Sequence, residues 1–404
     1  MSQTEVRRLV CIVAAAFVLR LTLAAITENH PLFPPYYYTD ANLIDDAARR
    51  TATDVAAGRP YSYAGTPSQR LQVRIQTALY RGVGIHPFAM KTLNCALSAL
   101  AIGALAVSIA AIFGPAPSLA AAALCAAWPS SIFYTSQNFK EAPISLLVYL
   151  ALCAFLPLLR GRKMEGPRTV LLAAFGSVCL IAAAFYRSYV TLALSSALAA
   201  AFSSAWVLNR WPRRPLMIGL GATLLAPLLY LPVSRYALTY DSRTEHAYSP
   251  ASPLGLSEFR RIRQSSDRQW AKRTFNRDIG TQIYPDARFE TWPQLAAFLP
   301  KSAFTALFMP LPGLYPMDGK LGRMLAAAEN IILLALAALG LAGCARGPKT
   351  PARAALFLFF AAMTTGAALF EFDLGSAGRH KLLYLPMLFP FAIEEALRLF
   401  QRKK

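Results

Sequence analysis

The feature that most restricts this chain is a succession of apolar runs separated by short segments rich in arginine and lysine. Most runs are close to the roughly 20 residues that an α-helix needs to cross a hydrocarbon core. A transmembrane barrel would show short alternating segments instead. Helices are therefore the form in which these runs can satisfy their own backbone polar groups inside a bilayer. Composition agrees, since 55% of the 404 residues are hydrophobic and 15% charged, too apolar for an ordinary soluble protein. The runs predict spans near 9–27, 87–113, 117–134, 142–160, 169–186, 188–208, 215–234, 323–345, 354–372 and 381–398. The expected fold class is an all-α polytopic membrane protein of about ten transmembrane helices.

The formal charge of +20 would suggest nucleic acid in a soluble protein, but here the basic residues mark alternate connections. They are Arg7 and Arg8; Arg160, Arg162, Lys163 and Arg168; Arg210, Arg213 and Arg214; Arg346, Lys349 and Arg353; and Arg398, Arg402, Lys403 and Lys404. All fall on one side, which the positive-inside rule makes cytoplasmic, with both termini inside. No nucleic acid partner is expected, and the partners of the charged rims are membrane lipids. Arg20 inside the first apolar run argues against cleavage as a signal peptide, so that run is expected to stay as a helix. Six cysteines lie in or beside apolar runs without a CxxC pair, which points away from disulfides and structural zinc.

Two long loops, 28–86 and 235–322, fall on the opposite, external side. They divide the chain into an N-terminal module 1–234, the loop 235–322 and C-terminal helices 323–404. In the first loop, Ala41, Ile44, Ala48 and Val55 recur at near-helical spacing, and a second helical stretch is expected near 68–82. In the second, Phe259, Ile262, Ser266 and Trp270 share one face of a helix, with Arg260, Arg261, Arg263, Arg268 and Lys272 on the other. This is the pattern of an interfacial helix. The stretch Leu299 to Pro316 is interrupted by prolines, and a re-entrant or surface hairpin is expected there.

External polar residues give the candidates for chemistry. Asp40, in Tyr36-Tyr37-Tyr38-Thr39-Asp40, reads either as a helix N-cap or as a general base at the membrane surface. Asp45 and Asp46 have Arg49 and Arg50 four residues on, and Asp54 can share Arg50, so ordinary ion pairs explain them. Lys140 and Glu141 stand at the mouth of a span, where charge is costly unless paired. Arg187, Arg379, His380 and Lys381 supply cations suited to a phosphate, with headgroup anchoring as the bland alternative. Arg20 could snorkel or point into a site. Tyr36 to Tyr38, with Tyr61 and Tyr63, could stack on a sugar or form an interfacial aromatic belt. The four histidines, His30, His86, His246 and His380, show no metal-ligand spacing, and no nucleotide-binding glycine loop is present.

Several segments resemble the GT-C superfamily of polyprenyl-phosphate-sugar-dependent glycosyltransferases, especially the protein O-mannosyltransferase and aminoarabinose transferase branch. The carriers are LRLTLAA, YTDANLIDDAARRTATDVAAGRPYSY, LYRGVG, LNCALSAL, IFGP, WPSSIFYTS and KEAP within residues 1 to about 160, with YRSYV and LGSAGRHK as weaker support. The resemblance implies a GT-C-like fold in a bacterial inner membrane. It also implies a polyprenyl-phosphate-sugar donor and a lipid, glycan or protein acceptor at the periplasmic face. On it, Asp40 matches the first-loop catalytic acid and Glu141 a second acid, while Arg187, Arg379, His380, Lys381, Arg20, Tyr38 and Lys140 become candidate substrate contacts. Ala41 stands where the family often has another acid, which leaves a two-acid metal site at 40 and 41 without its second ligand. A divalent cation is a candidate cofactor only if Asp45, Asp46 or Glu141 supplies the second carboxylate. Two other classes share the topology: a polysaccharide polymerase or ligase, relying on the arginines of 235–322 and on His246 or His380, and a non-enzymatic flippase, with ionisable residues midway through several spans.

Overall fold

The computed structural model describes residues 1–61, 67–160, 166–208, 213–235, 252–276 and 278–401. Tyr63, Arg162, Lys163, Arg210, His246, Arg402, Lys403 and Lys404 lie outside the described residues. Sixteen α-helices are described, no strand is, and one isolated bridge joins Gln282 to Asp373. The chain divides into two compact units: Met1–Thr239 with Ala337–Phe360 and Leu383–Lys404, and Tyr240–Leu336 with Ala361–Leu382. Residues 323–404 contribute to both units.

The first unit contains α1 (Gln3–Ile26), α2 (Thr39–Ala56), α3 (Pro67–Val83), α4 (Pro87–Phe113), α5 (Pro115–Ala127), α6 (Pro129–Ser136), α7 (Glu141–Phe155), α8 (Gly166–Tyr186), α9 (Ser188–Val207) and α10 (Arg213–Arg235). Of these, α1, α4, α7 with its closing 3-10 turn, α8 and α9 are long and apolar enough to cross a membrane. Several expose large apolar side chains, among them Val10 and Val18 of α1 and Leu171 and Val178 of α8. Such exposure suits lipid rather than water. Helix contacts rely on small residues, as is common in membranes: a side chain at Gly176 or Gly219 would collide with the ring of Phe155 or Phe202.

Prolines and glycines punctuate this unit. Gly114, with φ of +84°, ends α4 in a conformation that glycine adopts without strain, and Pro115 opens α5. Pro129 forces Trp128 into an extended conformation, and α5 and α6 meet at a bend of 61°. The span expected at 117–134 is therefore broken rather than straight.

In the second unit, α11 (Pro253–Phe275) and α12 (Trp292–Phe308) precede α13 (Leu321–Arg346), α14 (Pro351–Phe370), α15 (Leu374–His380) and α16 (Phe389–Gln401), of which α13, α14 and α16 lie partly or wholly in the first unit. α13 and α14 complete the seven helices able to cross a membrane among the described residues, eight if the bent pair counts as one span. The segment 381–398, expected as one span, is divided into two short 3-10 turns followed by α16.

The faces of α11 differ from the expected ones. Leu256, Ser257, Arg260, Gln264 and Ala271 are buried while Trp270 is exposed. Leu256 packs with Phe289 and Leu295, and Phe259 and Leu369 border this cluster. Arg260, placed by sequence on the polar face, is buried because backbone carbonyls need it: its guanidinium donates to Leu369 O at 2.6 Å and Ile283 O at 3.1 Å, between the rings of Phe298 and Phe372. Burial lowers its pKa to about 10. The apolar stretch Leu299 to Pro316, expected as a hairpin, is the second half of α12, which keeps its helix through Pro300, followed by turns after Met309.

Candidate functional site

The C-terminal end of α1 and the N-terminal ends of α4 and α7 meet in the first unit. Lys91 of α4 pairs with Glu28 just beyond α1. Asn94 donates to Gln137 O at 2.7 Å and Phe139 O at 2.9 Å, so the asparagine of LNCALSAL fixes the loop that leads into α7. Gln137 in turn donates to Thr27 Oγ1 at 2.9 Å. Lys140 occupies the N-cap position of α7 and Glu141 its first turn, where a carboxylate is favoured by the helix dipole.

Glu141 and Arg187 come together. Arg187 Nη2 donates to Glu141 Oε1 at 2.6 Å, and each side chain is 5% exposed. Arg187 sits at the N-cap of α9 in extended backbone, and its Nη1 donates to Tyr189 OH at 3.3 Å. A desolvated arginine and carboxylate are stable only as partners. The two sites that the sequence singled out separately are thus one buried ion pair.

Asp40 lies in the first turn of α2, and the cap position belongs to Tyr38, so the expected N-cap role is corrected to a first-turn one. It is half-buried and borders the buried stripe of Ala41, Ile44 and Ala48. About one and a half turns further along the helix, Asp45 accepts from Arg49 Nε at 2.6 Å, as expected, and also from Gln76 Nε2 at 2.6 Å and from Tyr80 OH. Burial and the Asp45 carboxylate hold the Tyr80 phenol well above its ordinary pKa. Asn138 donates to Gln76 Oε1 at 2.7 Å, which ties the α2–α3 hairpin to the loop preceding Lys140 and Glu141. Asp54 pairs with Arg59 at 2.6 Å instead of the expected Arg50. Asn94, Gln76, Tyr80 and Asn138 carry this network; Tyr80 and Asn94 fall in LYRGVG and LNCALSAL, whereas Gln76 and Asn138 carry no signal in the sequence, because uncharged polar residues on helices have no distinctive spacing.

Two candidates have their side chains occupied by the protein itself. Tyr38 is buried against Phe133, its hydroxyl accepts from Phe33 N at 3.3 Å, and burial raises its pKa. It is packed inward, which neither a belt nor a sugar platform requires. Arg20 is 0% exposed and donates through all three nitrogens: to Ser98 and Thr135 hydroxyls at 2.9 and 2.8 Å, to Ala16 O and Ala126 O at 3.1 Å, to Cys125 O at 3.3 Å and to Ser131 at 3.0 Å. Pro129 has no N–H to offer Cys125 O four residues back, and Arg20 takes its place at the break. Its expected snorkelling or site-facing role gives way to that of a clamp on the α5–α6 bend.

Arg379, His380 and Lys381 belong to the second unit. Lys381 is buried and donates to Leu307 O at 3.0 Å and Asn330 Oδ1 at 2.5 Å, so its ammonium is engaged in holding the chain. His380 pairs with Glu371. Asp373 caps α15 through Gly375 N and accepts from Thr281 Oγ1 at 2.8 Å. Burial pushes its carboxyl up to about 6 in spite of these bonds. Among the described residues, no three His, Cys, Asp or Glu side chains are grouped to hold a metal ion. Set against known proteins, the chain matches no family model and no curated sequence.

Proposed function

We propose that the protein is a GT-C-type glycosyltransferase of the bacterial inner membrane, with about ten crossings and both termini cytoplasmic. It transfers a sugar from a polyprenyl-phosphate donor to a hydroxyl acceptor at the periplasmic face. The observation that carries the reading is the meeting of Glu141 and Arg187 in a buried pair beside a loop that is hydrogen-bonded to the Asp40-bearing hairpin. The resemblance of residues 1 to about 160 supports it. A passage for lipid-linked glycan would use ionisable groups within the spans, whereas Arg20 is occupied by carbonyls and hydroxyls.

In this mechanism Asp40 takes the proton of the acceptor hydroxyl. The acceptor oxygen bonds to the anomeric carbon as the bond from that carbon to the phosphate oxygen breaks, with inversion. Arg187, aimed by Glu141, stabilises the charge that develops on the departing lipid phosphate.

The test is transfer by purified protein with polyprenyl-phosphate sugars and candidate acceptors. Asp40→Asn should lower the rate by about 100-fold or more, the usual contribution of a general base, with an unchanged melting temperature. Full activity in a well-folded Asp40→Asn protein would remove Asp40 as the base. Lipid translocation without product would replace the enzyme reading.

A further inference from the structure

α3 carries Gln72, Gln76 and Tyr80 four residues apart, hence along one stripe of the helix, and all three are buried. Gln76 and Tyr80 have partners in Asp45 and Asn138. Gln72 differs. It is 0% exposed, and among the described residues neither its amide nitrogen nor its amide oxygen has a hydrogen-bond partner. A buried amide with its donors and acceptor unmade loses the full desolvation cost of both groups. Leucine would fill a similar volume without that penalty, so this helix carries a polar group that its resting packing does not use.

The chemistry of the orphaned group narrows its ligand. A phosphate offers acceptors alone and an ammonium donors alone. A hydroxyl both donates and accepts, and two neighbouring hydroxyls on a sugar ring can meet an amide's N–H and C=O side by side. α2 and α3 share a core of their own, formed by Ile44, Ala48, Ala52, Val73 and Tyr80. For the hairpin to admit a sugar, the bond of Asn138 to Gln76 and the packing of α3 on α8 and α4 must give.

We infer that Gln72 is a sugar-binding residue, which takes vicinal hydroxyls of the transferred or accepting sugar when the α2–α3 hairpin moves to admit it. This rests on the glycosyltransferase reading for its substrate class. The residue stands in the same hairpin as Asp40, one turn along α3 from the amide that anchors Asp45.

The experiment uses the full chain in detergent, with bare polyprenyl phosphate and polyprenyl phosphates carrying a hexose or a pentose as probes. In the wild type, a sugar-bearing lipid should raise the melting temperature more than bare lipid phosphate does. Gln72→Leu should melt higher than wild type without ligand, lose the sugar-dependent part of the shift, and raise the donor or acceptor KM about tenfold, which corresponds to about 1.4 kcal/mol. Gln72→Met serves as a second variant of similar length. A sugar-dependent shift and KM values retained in both variants would overturn the inference, as would a wild type that does not distinguish sugar-bearing from bare lipid. A sugar-dependent shift lost in the variants, in a protein that transfers nothing, would uphold Gln72 as a sugar contact and remove the transferase reading.

Discussion

The two units bury cations in different company. In the second, Arg260 and Lys381 hold carbonyl oxygens of Leu369, Ile283 and Leu307. In the first, Arg187 holds the carboxylate of Glu141 and Arg353 that of Glu394, although Arg20 in the same unit follows the carbonyl pattern. The difference separates cations fixed on the backbone from cations held by side chains. A guanidinium that satisfies the backbone cannot let go without leaving carbonyls unpaired in a dry interior. One paired with a side-chain carboxylate can exchange part of that contact for another anion, such as a phosphate.

The largest effect should come from breaking the carbonyl clamps. Arg20→Leu and Arg260→Leu should each destabilise by at least about 3 kcal/mol, since several buried acceptors lose their donors at once. Arg20→Lys should recover little, because a compact ammonium cannot reproduce the five-donor fork. Thermal unfolding in detergent measures this, and variants that melt like wild type would dissolve the distinction drawn above.

Next in size is the ion pair. Glu141→Gln should cost about 3 kcal/mol, because it leaves Arg187 buried without its carboxylate. Replacing both residues by leucine should restore much of that stability while transfer activity stays lost. Activity surviving in the double variant would make the pair structural, like the clamps.

The smallest effect should be that of Asp373. Its folded pKa of about 6 lies above the ordinary 3.8, so the folded state holds the proton more tightly than the unfolded one. The stability it contributes is full below pH 3.8 and is lost as pH rises through 6. With discounting for its partial exposure, this is on the order of 1 kcal/mol. Hydrogen exchange at Leu374 N, which donates to Thr281 O, should lose protection across that window after correction for intrinsic rates. Asp373→Asn should flatten the profile, and an unchanged profile in that variant would assign the effect to another group.

Much of the fold is legible in the residues. Apolar runs give the helices, Pro115 and Pro129 mark where α5 and α6 begin, and the Asp45 to Arg49 pair follows from spacing of four. The bend at Trp128 was less visible, because 117–134 is apolar throughout and hydropathy is blind to a missing N–H. The orientation of α11 was missed for a related reason: Arg260 belongs on a polar face by charge, yet two aromatic rings and two carbonyl oxygens from distant segments make a buried place for it. Of the candidate site, Glu141 and Arg187 were visible as charges near hydrocarbon. Their pairing was not, since 46 residues separate them.

By itself the sequence determined that this chain is helical, apolar and suited to a membrane, because backbone hydrogen bonding within a hydrocarbon layer depends only on run length and composition. Which cations are clamps and which face carboxylates was decided by tertiary structure. Arg20 finds its hydroxyl partners 78, 111 and 115 positions away, and no local pattern encodes where such partners will lie once the helices pack.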